Sequence, residues 1–290
     1  MLMAPEQEWQ LEARRMQPQK HGRRWWRRAV STIVLLWVFS MTAQARDLGV
    51  DVSHFQNESG IAQANWNQLA SEGRKFAYIK ATEGLTGPDD ATMATNVSRA
   101  TAAGILNGVY HFAHAENRQT PAGAVLEADH LLSFAGAAIG PGHLRPVLDI
   151  EGNTATLTSA GLTDWVIAFI NRVVEQRGPA AEPIIYTTSG FTATEFDSRI
   201  ANYDLWIRSN FADPQTGNPT GLGLFPDWLI WQYNVSSAGG ISPIDLDVLH
   251  NESATLASLV IPEPGSAAIV TLGIFALARR RARNCSKQCL

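Results

Sequence analysis

Short apolar segments recur through the middle of the chain, and their Val, Ile, Tyr and Trp content is typical of β-strands. Longer segments between the earlier ones repeat apolar residues at helical spacing. The predicted strands are 48–52, 76–80, 108–112, 146–150, 183–187, 204–207, 228–231 and 244–248. The predicted helices are 61–72, 91–103, 122–138, 163–176 and a less regular 191–200.

The alternation of strands and helices predicts a parallel sheet, and eight strands are enough to close it into a barrel. The later connections 210–226 and 234–243 are rich in Gly, Pro and Ser, so neither is expected to hold a full helix. We therefore predict an α/β fold, an irregular TIM-like barrel of five βα units followed by three strands with little helix. Residues 46–260 are assigned to this barrel domain.

Two acids, Asp149 and Glu151, end the fourth predicted strand and are separated by one residue. In a strand they share one face and lie roughly 7 Å apart. Because like charges this close resist ionising together, the pKa of one of them should rise. A neutral acid beside an ionised carboxylate is suited to glycosidic bond cleavage. An arbitrary Asp-x-Glu is more often a solvated strand end, so the rest of the chain decides between the two interpretations.

Polar and aromatic side chains follow the other predicted strands as well. In a parallel barrel the C-terminal ends of all strands open on one mouth, so these residues are expected to converge there. Aromatic rings stack on the apolar faces of sugar rings, and carboxylates perform acid–base chemistry on the bond between the rings. The candidate substrate contacts are Tyr78, Lys80, Glu83, Tyr110, Phe112, Tyr186, Trp206, Trp231 and Tyr233. Lys80 is expected to pair with Glu83 or Asp149.

The net charge of -4 conceals a strong segregation of charge. Residues 46–261 contain 11 basic and 23 acidic residues, whereas both termini are basic. Because nucleic-acid binding needs a basic surface, no nucleic-acid partner is expected for this domain. Both cysteines, Cys285 and Cys289, lie in the C-terminal segment, so the domain has no disulfide and no thiolate nucleophile.

The N-terminal segment has the order of parts found in a secretory signal peptide. A basic stretch at 21–28 is followed by a short apolar run at 29–41 and by the small-x-small pattern of Ala43-Gln44-Ala45. We predict a signal peptide at 1–45. An uncleaved membrane anchor is the alternative.

The C-terminal segment 261–290 contains Pro262-Glu263-Pro264, a short apolar run at 266–278 and a cluster of four Arg residues at 279–283. Together these parts resemble the PEP-CTERM sorting signal of Gram-negative bacteria. The resemblance implies export, transient membrane anchoring by a short transmembrane helix, and processing by a membrane protease of the exosortase type. A plain tail anchor is the alternative.

Seven motifs resemble, in order and at comparable spacing, those of the family 25 glycoside hydrolases, which are lysozymes (N-acetylmuramidases) acting on peptidoglycan. They occupy 49–56, 78–84, 108–112, 147–151, 185–187, 205–207 and 231–233. The resemblance covers residues 48–249 and implies the same irregular barrel. One departure from the family's pattern is 85–90, where the family often has an aromatic residue.

The resemblance implies that Glu151 is the general acid and that Asp149 is its neighbouring carboxylate. Asp51 and Asp245 complete the acidic set, and Asp245 is chosen over Asp247 because it matches the family's position. The implied reaction is hydrolysis of the β-1,4 bond between N-acetylmuramic acid and N-acetylglucosamine. Attack by water and attack by the substrate's own acetamido group both remain open. No cofactor is expected, and the protein is expected to be a monomer.

Two other functions remain as alternatives. The first is a catalytically inactive glycan-binding module tethered to the cell surface, although binding alone does not need an acid pair. The second is a metal-dependent hydrolase or deacetylase using His54, His111, His114 and Asp51, but these spacings match no metal-ligand motif. We therefore predict no metal site. His111 is equally compatible with a core histidine bonded to the backbone.

Overall fold

The computed structural model of the protein describes residues 45–152 and 156–263. Within these ranges eight strands form a closed barrel in sequence order, which confirms the predicted α/β barrel. The strands are β1 (Leu48–Val52), β2 (Arg74–Glu83), β3 (Leu106–Phe112), β4 (Val147–Asp149), β5 (Ile184–Thr188), β6 (Leu205–Arg208), β7 (Ile230–Ala238) and β8 (Ile241–Leu249). The α-helices are α1 (Gln63–Ser71), α2 (Met93–Ala102), α3 (Pro121–Ala135), α4 (Ser159–Arg177) and α5 (Ser189–Thr194).

The predicted signal peptide at 1–45 and sorting signal at 261–290 lie outside the described residues, apart from Ala45 and 261–263. Both segments stay sequence-based predictions. None of the helices in the described ranges is long and apolar enough to cross a lipid bilayer.

Local sequence sets the ends of the two longest helices. Thr120 caps α3 and Thr158 caps α4, because each hydroxyl accepts the backbone N–H of the residue three positions later, at 3.3 and 3.1 Å. Pro121 begins α3, where a missing N–H removes no helical hydrogen bond. Gly178 ends α4 with a φ of 84°, a conformation that favours glycine. These residues fix where each crossover turns back toward the next strand.

The last two strands form a hairpin that the sequence analysis did not predict. The segment 234–243 was predicted as a connection without a full helix, and most of it instead extends β7 to Ala238 and starts β8 at Ile241. Gly239 and Gly240 make the turn with φ values of 59° and 74°, which favour glycine. A Cβ atom on Gly239 would collide with the Leu69 side chain, so this turn packs closely against α1.

β8 runs antiparallel to both of its neighbours, β7 and β1. The expectation that every strand ends at one mouth is therefore wrong for β8, because the hairpin reverses the chain direction. Asp245 lies opposite Asp51, whereas Asp247 lies opposite Gly49. Asp247 is consequently one layer deeper in the barrel than Asp245.

Both ends of the described barrel lie at its floor, which we define as the end where β1 begins. The Leu249 N–H, at the end of β8, donates to the Asp47 carbonyl at 2.9 Å. Farther along the chain, the Ile261 N–H donates to the His143 carbonyl at 2.8 Å, just ahead of β4. The mouth of the barrel is therefore at the opposite end from both.

Buried apolar side chains form two groups. One group lies between the barrel wall and the helices and includes Trp66, Trp165 and Trp231. The other includes Tyr78 and Trp206, which face the barrel interior. This second group fills the lower interior of the barrel.

Candidate active site

An open cavity of about 520 Å³ occupies the mouth of the barrel. Side chains from β1 and from every later strand contribute to its wall, so closing the barrel is what assembles it. The lining residues are Asp51, Val52, Ser53, Phe55, Gln56, Lys80, Glu83, Tyr110, Phe112, Val147, Asp149, Glu151, Tyr186, Trp206, Arg208, Gln232 and Asp245.

The four acids of the predicted catalytic set all line this cavity. Asp51 and Asp149 are 8% and 7% exposed, whereas Glu151 is half-buried. Asp149 and Glu151 reach the same space, as expected for alternate residues of an extended chain, while Ile150 between them is buried in the outer core. The cavity can therefore present several carboxyl groups to one substrate bond.

Asp51 is held by side chains from two other strands. The Gln232 Nε2 amide donates to Asp51 Oδ2 at 2.8 Å, and the Tyr186 hydroxyl donates to Gln232 Oε1 at 3.1 Å. The tyrosine proton thus fixes which end of the amide faces Asp51. Burial, followed by the charge of Asp245, raises the pKa of Asp51 well above its usual range, and the Gln232 bond opposes this rise.

Asp247 lies beneath the cavity and is completely buried. The Trp206 Nε1–H donates to its Oδ1 at 3.2 Å, and its Oδ2 has no hydrogen-bond donor among the described residues. Burial raises the pKa of Asp247 well above its usual range, and the charges of Asp51 and Asp245 and a side-chain hydrogen bond to Asp51 raise it further. These effects favour the neutral form of Asp247, because ionisation here would bury a charge with a single donor, the Trp206 N–H.

The ionised form of Asp149 is also poorly compensated by hydrogen bonds. Its Oδ1 is buried and has no hydrogen-bond partner in the described part of the chain. Burial raises the pKa of Asp149 well above its usual range, and the charges of Glu151 and Asp51 add to this effect. The expected repulsion within the Asp-x-Glu pair is therefore present, and it acts on Asp149.

The pKa of Glu151 is also raised, and the charges that modify it differ from those that act on Asp149. Burial is the largest cause, Arg208 opposes it, and Asp245 adds to it. Burial likewise raises the pKa of Asp245, again opposed by Arg208. A carboxyl group that retains its proton and still reaches open space has the two properties needed by a general acid.

Lys80 forms the predicted ion pair, with Glu83 rather than Asp149. Its Nζ lies 2.5 Å from Glu83 Oε2 and 5.1 Å from the centre of the Phe112 ring. The other Glu83 oxygen lies 3.1 Å from His114 Nε2. The positive charge of Lys80 is thus locally neutralised, although both residues still line the cavity.

The three histidines weighed as metal ligands have separate partners. His111 is buried between Thr82 Oγ1 at 2.7 Å and Glu127 Oε2 at 2.9 Å, so its partners are side chains and not the backbone. His54 Nδ1 lies 3.3 Å from Asp90. Across the described ranges, no three His, Cys, Asp or Glu side chains are grouped so that they could hold a metal ion.

Three of the candidate substrate contacts do not reach the cavity. Tyr78 faces the barrel interior but is fully buried below the cavity, among the residues that fill the floor. Trp231 and Tyr233 belong to the outer core, because strand residues alternate in direction and Gln232 between them points inward. We therefore remove these three residues from the candidate set.

Seven cavity residues were absent from the predicted catalytic and substrate-binding residues, namely Val52, Ser53, Phe55, Gln56, Val147, Arg208 and Gln232. Phe55 is 79% exposed, which is unusual for a large apolar side chain and suits a surface that stacks on a sugar ring. Period-two alternation was the signal that could have found Gln232. Arg208 follows Trp206 by two residues and could have been found in the same way.

Comparisons with known proteins agree with this geometry. The family model described as glycosyl hydrolases family 25 matches residues 50–241. Lysozyme M1 of Streptomyces globisporus is 32% identical over 222 residues, covering 73% of this chain and 70% of that protein. The N,O-diacetylmuramidase of a Chalaropsis species is 28% identical over 204 residues, covering 66% and 90%.

Similarity extends to solved structures. The crystal structure of the bacterial lysozyme from Streptomyces coelicolor superposes with a TM-score of 0.59 at 29% identity, covering 75% of this chain and 96% of that one. The family match, the closed barrel and the acid-lined cavity are mutually consistent. This chain therefore belongs to glycosyl hydrolase family 25 and is a glycoside hydrolase.

Proposed function

We propose that the protein is a lysozyme that hydrolyses the β-1,4 bond between N-acetylmuramic acid and N-acetylglucosamine in peptidoglycan. The observation that carries this proposal is the pair Asp149 and Glu151, which reaches one open cavity in a family 25 barrel. Relatives named as lysozymes and muramidases support the substrate class. A glycan-binding module would have no need for four carboxyl groups in a cavity where burial favours their protonation.

In the proposed mechanism Glu151 protonates the glycosidic oxygen. Its raised pKa keeps the proton available, and its partial exposure lets the carboxyl group meet the bond between two sugars. The positive charge that develops on the muramic acid ring is stabilised by whichever of Asp51 and Asp245 is ionised. Gln232 supports the ionised form of Asp51 by donating to it.

Either water or the acetamido group of the substrate then attacks the anomeric carbon. In the second route Asp149 is the group we assign to orient the acetamide, because it lines the same cavity as Glu151 and is separated from it by one residue. Measuring the rate on partly de-N-acetylated glycan distinguishes the two routes. Substrate assistance requires a large rate loss on this glycan, whereas direct attack by water tolerates the change.

We further propose that the protein is exported by its N-terminal segment and processed at the 261–290 segment by a membrane protease of the exosortase type. The order of the Pro-Glu-Pro motif, apolar run and Arg cluster supports this proposal. Mass spectrometry of the C-terminus in exported protein would test it. An intact Leu290 on the exported protein would rule out the processing.

The activity is tested by incubating the purified protein with purified peptidoglycan and identifying the new reducing ends. Reducing N-acetylmuramic acid is the expected product. Reducing N-acetylglucosamine would instead indicate cleavage of the other glycosidic bond. Binding to peptidoglycan without any new reducing end would support the glycan-binding alternative.

A further inference from the structure

The cavity contains two basic side chains, and they differ in how their charge is compensated. Lys80 is 5% exposed and is ion-paired with Glu83. Arg208 is exposed, and its guanidinium makes no hydrogen bond and no ion pair with any residue in the described ranges. Arg208 is thus the basic group in this cavity that is free to bind an anionic part of a substrate.

The position of Arg208 follows from its strand. It is the last residue of β6, two residues after Trp206, so both side chains face the barrel interior. Its strand neighbours are Thr188 and Gln232. It lines the same cavity as Glu151 and Asp245, so the guanidinium faces the space that holds the proposed general acid.

A bound substrate would offer Arg208 one suitable group. Under the proposed function, the sugar whose anomeric carbon reacts is N-acetylmuramic acid, which carries a lactyl ether on the adjacent part of its ring. The lactyl carboxyl group is a free carboxylate in glycan strands without stem peptides, and it is a neutral amide where a stem peptide is attached. A guanidinium binds a carboxylate through two parallel, charge-assisted hydrogen bonds, and a neutral amide carbonyl cannot match that interaction.

The other charged residues of the cavity also favour Arg208 as the partner of a substrate carboxylate. Five carboxyl groups line it, and those that are ionised would repel a substrate carboxylate that entered without a basic partner. Lys80 is already neutralised and lies on β2, whereas Arg208 lies on β6. A carboxylate can therefore be accommodated on the β6 side of the cavity.

We propose that Arg208 binds the lactyl carboxylate of N-acetylmuramic acid, so that the enzyme prefers glycan strands from which the stem peptides have been removed. This inference rests on the proposed function. It also implies the class of reaction that supplies the substrate, which is hydrolysis of the lactyl amide. In that step water breaks the carbon–nitrogen bond, leaving the carboxylate on the glycan and the amine on the peptide.

Three soluble substrates with equal numbers of sugars test the inference. The first alternates N-acetylglucosamine with N-acetylmuramic acid bearing a free lactyl carboxylate, the second carries stem peptides on the same glycan, and the third is a β-1,4 N-acetylglucosamine oligomer without lactyl groups. For every protein, kcat/KM on each of the three substrates is measured at the pH optimum of that protein. Differences in rate that come only from altered pKa values are thereby removed. The wild-type protein should favour the first substrate by about tenfold or more over the other two.

The decisive variant is Arg208→Gln, with Arg177→Gln as the matched control. Arg177 is exposed at the end of α4 and does not line the cavity, so removing its charge should leave all three rates unchanged. Arg208→Gln should lose about tenfold in kcat/KM on the first substrate and far less on the other two. Arg208→Lys should recover part of the loss, because it restores charge without the planar fork.

Two results would overturn the inference while leaving the proposed function intact. One is an equal loss on all three substrates with Arg208→Gln, which would mean that Arg208 acts on the catalytic acids alone. The other is no loss on the free carboxylate substrate. If the wild-type protein cleaved none of the substrates containing N-acetylmuramic acid, the proposed function itself would fail, and the inference with it.

Discussion

The side-chain amide of Gln232 donates a 2.8 Å hydrogen bond to Asp51, and this bond connects β7 to β1 across the intervening strand β8. Through this contact the neutral side chain of Gln232 stabilises the ionised form of Asp51. The Tyr186 hydroxyl holds the other end of the same amide, so the donor cannot turn away without losing a second bond.

Replacing Gln232 with Glu tests this relationship. The change removes the donor and adds a carboxylate beside Asp51, so we expect kcat on peptidoglycan to fall by about 10- to 100-fold. Thermal unfolding followed by circular dichroism should show that the barrel still folds. Turnover close to that of the wild-type protein would mean that Asp51 does not depend on this donor.

The second prediction concerns the proposed general acid. Glu151→Gln keeps the size of the side chain and removes its proton, so kcat should fall by about 10²- to 10⁴-fold. Glu58→Gln is a matched control, because Glu58 is exposed and does not line the cavity. Release of reducing ends from peptidoglycan is the measurement. Activity of Glu151→Gln at the level of the control would refute the role assigned to Glu151.

The third prediction separates a neutral Asp247 from a charged one. Asn at position 247 can accept from Trp206 and can donate to Asp51, the two side chains that Asp247 contacts by hydrogen bonds, so Asp247→Asn should keep most of the activity. Asp247→Ala removes the acceptor of the buried Trp206 N–H and should destabilise the fold by about 1–3 kcal/mol. Loss of activity in Asp247→Asn, with an unchanged melting temperature, would show that the carboxyl group itself is required.

The raised pKa of Asp247 also predicts how stability changes with pH. The folded state holds this proton more tightly than the unfolded state, so its contribution is complete below the ordinary Asp pKa of about 4 and is lost as pH rises toward the folded value. Asp247→Asn does not titrate. We therefore expect the melting temperature of this variant, relative to the wild-type protein, to increase between pH 5 and pH 8. A difference that is constant with pH would contradict a neutral Asp247.

The alkaline limb of the activity profile should report Glu151. A general acid works only while it is protonated, so activity should fall as pH rises through the raised pKa of Glu151. Arg208 opposes this rise in pKa, so Arg208→Gln should move the alkaline limb to higher pH. The dependence of kcat on pH for the two proteins measures the shift. If the alkaline limb moved to lower pH in Arg208→Gln, Arg208 would not be lowering the pKa of Glu151.

Much of the fold could be predicted because each strand and helix has its own local pattern. Alternation placed Asp149 and Glu151 on one face, and both do line the cavity. The direction of β8 could not be predicted in this way, because period two is the same whichever way a strand runs. The depth of Asp247 in the barrel depends on that direction, so it could not be predicted from the sequence either.

The choice of residues on β7 failed for a different reason. Trp231 and Tyr233 have the rings that sugars prefer, and their chemistry outweighed the alternation that makes Gln232 the inward residue. Large aromatics also suit the packing between a barrel and its helices, as the burial of Trp231 shows. Chemical suitability alone cannot decide which face of a strand meets a ligand.

Because β8 returns to the floor, the barrel begins and ends on the side opposite the cavity. A fusion partner, a bead or a sensor surface coupled ahead of Asp47 or after Ile261 would leave the mouth pointing away from the support. Long glycan strands could then approach without steric hindrance. The same geometry makes this barrel a convenient module for immobilised or displayed enzymes, with no redesign of the loops around the mouth.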